Sequence, residues 1–288
     1  MGTSGLSNPC VSFQEAEMRR VVATAVKVLL AVAGILVLAV AGGILFDTIF
    51  PSQRVTDFTN VTFTDAGGAT HHAYQAKPEG AGPHPGVLLI HEFFGLNADI
   101  VAKADTLARE GYAVLAVDAY GGKTTKQIPR AILFVVSTPQ ARISLNVDAG
   151  YAYLAGLDGV DPRRIGAVGF CFGGTQVMRL GTRNPDLAAA AIFYGSGPIQ
   201  DPAELGVMGQ NGPVLGIFGE QDQGIPVSQV AGFKLAMDAR DVRNQVTIYP
   251  GVGHAFVHAD NITVPGAAQD AWRELLDFLA ATLKKGHI

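Results

Sequence analysis

The chain is 288 residues long, 48% hydrophobic, 16% charged and 8% aromatic, with 35 Gly, 2 Cys and a formal net charge of −4. So apolar a chain is not disordered, so few cysteines cannot build a disulfide scaffold, and the acidic balance argues against nucleic acid as a partner. A charged fraction well under the usual quarter, with a mean hydropathy of +0.26, points to a segment that meets lipid.

Val28 to Phe46 is that segment, a run of 19 uncharged residues. At about 1.5 Å per residue it is long enough for the roughly 30 Å hydrocarbon core of a bilayer. Arg19, Arg20 and Lys27 precede it and Asp47 follows. The positive-inside bias then places the N-terminus in the cytoplasm and everything after Phe46 outside. The expected organisation is a tail over 1–20, a membrane-spanning segment over 21–46, a tether over 47–60 and a catalytic domain over 61–288. The lipid bilayer is thus an expected partner through 21–46. The alternative is a cleavable signal with Ala39-Val40-Ala41 as its small-residue site, which would leave the domain secreted.

Beyond the tether, Val61 to Thr64 and His71 to Gln75 alternate apolar with polar residues and predict an antiparallel edge, with His71 and His72 facing solvent. Short apolar runs follow at 87–90, 113–117, 165–168, 189–193, 214–218 and 246–249. Helical patterns separate them at about 98–110, 137–157, 173–182, 226–239 and 267–284. Buried strands alternating with helices define an α/β chain with a mostly parallel sheet and helices on both faces. In such sheets chemistry gathers where strands end and helices begin.

Three strand ends carry reactive residues. Gly169-Phe170-Cys171-Phe172-Gly173-Gly174 has the G-x-nucleophile-x-G form of a nucleophile elbow, with Cys171 in the nucleophile position. The turn needs small flanking residues, and the helix dipole beyond it favours a thiolate. Gly219-Glu220-Gln221-Asp222 supplies an acid and Gly251-Val252-Gly253-His254-Ala255-Phe256 a base. Nucleophile, acid, base is the chain order of an α/β-hydrolase triad. Thiolate attack on an ester also needs two donors for the oxyanion. One comes from the residue after Cys171, the other from the loop after 87–90.

Together with His91-Glu92-Phe93-Phe94-Gly95-Leu96 and Phe193-Tyr194-Gly195, these motifs make residues 55–288 resemble the dienelactone hydrolase family of cysteine-dependent α/β-hydrolases. The resemblance implies an enzyme that cleaves a carboxylic ester or lactone through an acyl-cysteine, with Cys171 as nucleophile, His254 as base and Asp222 orienting it. It further implies that Glu92 restrains the resting thiol and that the backbone N–H groups of Phe93 and Phe172 form the oxyanion hole. As read from the residues alone, Glu92 equally suits an ion pair. The family holds a substrate carboxylate with two arginines, one of them four residues after the histidine. Here that position is His258, and Arg130 is the nearest candidate for the other.

Phe93, Phe94, Phe170, Phe172, Tyr194 and Phe256 cluster at the motifs and suggest a pocket for apolar or aromatic acyl groups, although Phe94 and Phe170 also suit core packing. Phe94, Arg130, Tyr194, Phe256 and His258 are accordingly the candidates for substrate contact, and a small-molecule ester or lactone is the expected ligand. Acyl transfer or thioester cleavage could use the same residues, and a non-catalytic, membrane-tethered scaffold could share the fold. No metal or other cofactor is expected. His91-Glu92 opens like the H-E-x-x-H zinc motif but meets Gly95, and Gly122-Lys123-Thr124 lacks the first glycine of a P-loop.

Overall fold

The computed structural model describes residues 9–49, 53–210 and 212–284. The chain divides into two compact units, Met1–Ser52 and Gln53–Ile288. In the first, α1 (Pro9–Ile49) contains an apolar stretch, Glu17–Phe46, long enough to cross a membrane, with Leu29, Leu36 and Leu38 exposed. The helix begins inside the expected tail and ends inside the expected tether. The apolar boundary follows charge, whereas backbone helicity continues through good helix formers such as Glu15, Ala16, Glu17, Met18 and Arg19. Of these expectations, 1–8 of the tail, 50–52 of the tether, and 211 and 285–288 of the catalytic domain lie outside the described residues. Val55–Phe58 forms a short 3-10 helix whose Val55 is buried, so the second unit starts before residue 61.

That unit is built on an eight-stranded sheet: β1 (Val61–Thr64), β2 (Thr70–Ala76), β3 (His84–Ile90), β4 (Ala113–Val117), β5 (Val160–Phe170), β6 (Ala189–Phe193), β7 (Val214–Gly219) and β8 (Asn244–Tyr249), in the order β1-β2-β4-β3-β5-β6-β7-β8. The pairs β1/β2 and β2/β4 are antiparallel and the rest parallel. Every residue of β4, β6 and β7 is buried, so helices cover both faces of this α/β-hydrolase fold. Those helices are α2 (Ala98–Arg109), α3 (Ile128–Ser137), α4 (Gln140–Ala155), α5 (Phe172–Gly181), α6 (Val227–Asp238) and α7 (Ala267–Leu279). Asn97 caps α2 by accepting from the N–H groups of Asp99 and Ile100.

Two local expectations are corrected. The helical pattern at 137–157 is α4 alone, and α3 precedes it as a separate helix. Pro139 interrupts the two, and the run Ile132 to Val136 has no polar face to mark α3 as helical. His71 does not face solvent: its Nε2 lies 2.8 Å from Asp65 Oδ2 and its ring stacks on Phe63. An inward β position is satisfied there by a carboxylate across the turn, while His72 is half-buried and its Nδ1 lies 3.3 Å from Thr62 Oγ1.

Candidate active site

Cys171 stands between the end of β5 and the start of α5 with φ 53° and ψ −114°, a strained left-handed conformation for a residue with a side chain. The turn closes so tightly that a Cβ on Gly169 would collide with the carbonyl oxygen of Gly173, and one on Gly173 with that of Ile90. The strand-to-helix reversal therefore requires glycine at both positions.

Two neighbouring strand ends deliver their residues to the sulfur. His254, on the loop after β8, places Nε2 3.0 Å from Cys171 Sγ. Its Nδ1 lies 2.6 Å from Oδ2 of Asp222, on the loop after β7. Asp222 is buried, and its other oxygen accepts from the N–H groups of Gly224 and Ile225 at 2.9 and 3.2 Å, which fixes the carboxylate. A thiol, an imidazole and a carboxylate in this chain can pass a proton off sulfur and stabilise the resulting imidazolium.

Glu92, on the loop after β3, is buried, and its Oε1 has no hydrogen-bond partner among the described residues. Burial pushes its carboxyl above the usual range, against the attraction of Lys103, His258 and His254. Burial also lifts the Cys171 thiol to about 11, and the Glu92 charge adds to that, while the backbone N–H groups of Phe172 and Phe93 act on the sulfur in the opposite sense. The helix dipole alone would have favoured the thiolate; desolvation and the neighbouring carboxylate outweigh it.

The candidates for substrate contact are placed unequally. Phe94 is half-buried against Phe93, ring centroids 4.2 Å apart, and Phe256 is half-buried between Tyr194 and Tyr249. His258 is exposed and close enough to Glu92 to oppose, in small part, the upward push of burial on that carboxyl. Arg130 lies on α3 with its guanidinium over Phe134. Tyr194 is instead fully buried: its hydroxyl donates to Val257 O at 3.3 Å and its ring meets that of His254 edge-on. It supports the imidazole from behind rather than offering open surface. Phe170 is likewise core, packed on Phe193 and Trp272, as expected of the last residue of a central strand.

One important residue carried no sequence signal. Lys103 on α2 is fully buried, donates to Asp99 Oδ2 at 2.6 Å and to Val257 O at 2.9 Å, and lies 4.1 Å from the Phe170 ring centroid. Asp99 Oδ1 accepts from Ala259 N–H at 2.7 Å. This pair pins the segment just beyond His254 to α2. Only the i,i+4 spacing of Asp99 and Lys103 was visible in sequence, and that is shared by ordinary surface pairs. His91 is buried and held neutral, its pKa lowered to about 4 by burial; Nε2 accepts from Ala119 N–H and Nδ1 donates to Glu92 O.

The sheet, the strained elbow and the order of the three strand ends define an α/β-hydrolase. The profile of the dienelactone hydrolase family matches residues 71–283, and the chain belongs to that family. It is 34% identical over 224 residues to a "Putative carboxymethylenebutenolidase" of Methylorubrum extorquens, covering 72% of this chain and 75% of that one. A protein of the same name from Escherichia coli is 30% identical over 240 residues, covering 78% and 86%. The crystal structure of a "Putative Dienelactone Hydrolase" from Klebsiella pneumoniae superposes with a TM-score of 0.65 at 29% identity, covering 77% of this chain and 99% of that one. The chain is a hydrolase of the ester- and lactone-cleaving kind.

Proposed function

We propose that the chain hydrolyses carboxylic esters or lactones through an acyl-cysteine intermediate, with a bilayer anchor at Glu17–Phe46. His254 Nε2 takes the thiol proton as Cys171 Sγ attacks the carbonyl carbon. The oxyanion is met by the N–H groups of Phe93 and Phe172, a pair of donors of the kind whose single loss costs about 2.7–4 kcal/mol. Collapse breaks the C–O bond, and His254 returns the proton to the leaving alkoxide. Water then attacks the thioester with His254 again as base, releasing the acid and restoring the thiol. Asp222 holds the imidazole orientation throughout. Phe94 and Phe256 supply apolar surface for the acyl group, and the exposed His258 is the side chain nearest the site that can meet an acidic substrate.

The single observation that carries this reading is the continuous contact from Sγ through the imidazole to the buried carboxylate, 3.0 and 2.6 Å. Cys171→Ala in the full chain is expected to lower turnover of p-nitrophenyl esters and simple lactones by at least about 10³-fold with the circular dichroism unchanged. Retained turnover would remove the sulfur from the mechanism.

A further inference from the structure

α3 is an apolar helix whose outer face is bare. Ala131 and Phe134 turn inward, while Ile128, Ile132, Leu133, Val135 and Val136 are exposed, Val136 to 73%. Ile128, Ile132, Val135 and Val136 follow the spacing of one helical stripe. The sequence that flanks it is one-sided in charge. Between Asp118 and Asp148 the sequence contains Lys123, Lys126, Arg130 and Arg142 and no acidic residue, in a chain whose net charge is −4. Lys126 and Arg142 are exposed.

We propose that α3 is a membrane-contacting face, its apolar stripe seated in the interface of an anionic bilayer and the flanking cations on the lipid headgroups. An apolar face rimmed by Lys and Arg is the composition of helices that lie in the lipid interface. A second copy of the chain fits less well. A ten-residue helix is about 15 Å long and about 10 Å wide, a footprint near 150 Å², against roughly 800 Å² per partner in a stable dimer.

The proposal deepens the anchor reading of Glu17–Phe46 and rests on it for proximity. The apolar stretch ends at Phe46 and the second unit has begun by Val55, so the eight residues between them span at most about 30 Å, a covalent limit on the distance from the anchor. The position of α3 gives the contact a purpose. The loop leading into it is bonded to the loop carrying Glu92: Thr125 N–H and Thr124 Oγ1 both donate to Phe94 O, at 3.0 and 3.3 Å. On its inner side, Phe134 meets Tyr120, which meets Phe172 beside the nucleophile. A lipid-seated α3 therefore brings the rim of the site to the bilayer surface, where apolar esters partition.

The test uses the full chain reconstituted into phosphatidylcholine–phosphatidylglycerol vesicles. Val136→Trp adds an exposed indole to a protein whose single tryptophan, Trp272, is buried; Ile132→Trp is the independent second reporter, and retained turnover of a water-soluble ester verifies the fold of both. The expected result is emission shifted to shorter wavelength and quenched by brominated acyl chains, with the quenching reduced in pure phosphatidylcholine and by Lys126→Glu combined with Arg142→Glu. Unshifted, unquenched emission in a chain that floats with the vesicles would overturn the α3 proposal and leave the anchor standing. A chain that does not float would overturn both. A blue shift that grows with protein concentration in lipid-free detergent and ignores brominated lipid would identify a second copy as the occupant and overturn the proposal.

Discussion

Burial first, and the Glu92 charge after it, push the Cys171 thiol up to about 11 from an ordinary 9.0. Because the folded state binds this proton more tightly than the unfolded chain, the associated stability is complete below about pH 9 and is lost as pH rises toward about 11. Iodoacetamide reacts with the thiolate, so its rate should climb across that alkaline window. Glu92→Gln deletes a negative neighbour and should move the midpoint of the alkylation profile downward; an unmoved midpoint would separate Glu92 from the thiol's ionisation. The meeting of Cys171, Asp222 and His254 was legible because each lies in a short pattern at a strand end. The roles of Tyr194 and His71 were not, because whether an aromatic or a histidine faces inward depends on which partner its strand acquires.

Between elements, the decisive contact is the buried lysine joining α2 to the loop beyond His254. It spans 154 positions of sequence, so no local spacing could announce it. Lys103→Ala would strip the donor from Asp99 Oδ2, leave the Val257 carbonyl with only the longer bond from Tyr194, and empty space beside Phe170. The expected loss is about 3 kcal/mol of stability, since stripping one partner from a buried pair exposes the cost of the other. Turnover should fall through kcat with little change in KM, and Lys103→Arg should recover part of it. Denaturant midpoints measured beside steady-state kinetics check both, and unchanged kcat would reduce Lys103 to a packing residue. The strand–helix alternation was readable from apolar runs and their lengths, whereas α3 was missed because its exposed apolar stripe imitates a buried strand.

For the molecule as a whole, the two units make separable expectations. The chain should remain in the membrane pellet after alkaline carbonate extraction, and removal of residues 1–46 should release it; recovery of the intact chain in the supernatant would overturn the anchor. Retained ester turnover in the released form would show that the anchor serves location and not chemistry, as a core that runs from Val55 to Leu283 among the described residues leads one to expect. The order of the sheet adds one more consequence. The chain joins it at β1, which pairs with β2 alone, and β2 in turn leans on β4, whereas the thiol, the carboxylate and the imidazole follow β5, β7 and β8 on the far side of β3. On the anchor reading, a pull arriving from the N-terminal side would load the β1/β2 hairpin at the sheet edge first, several strands away from Cys171, Asp222 and His254.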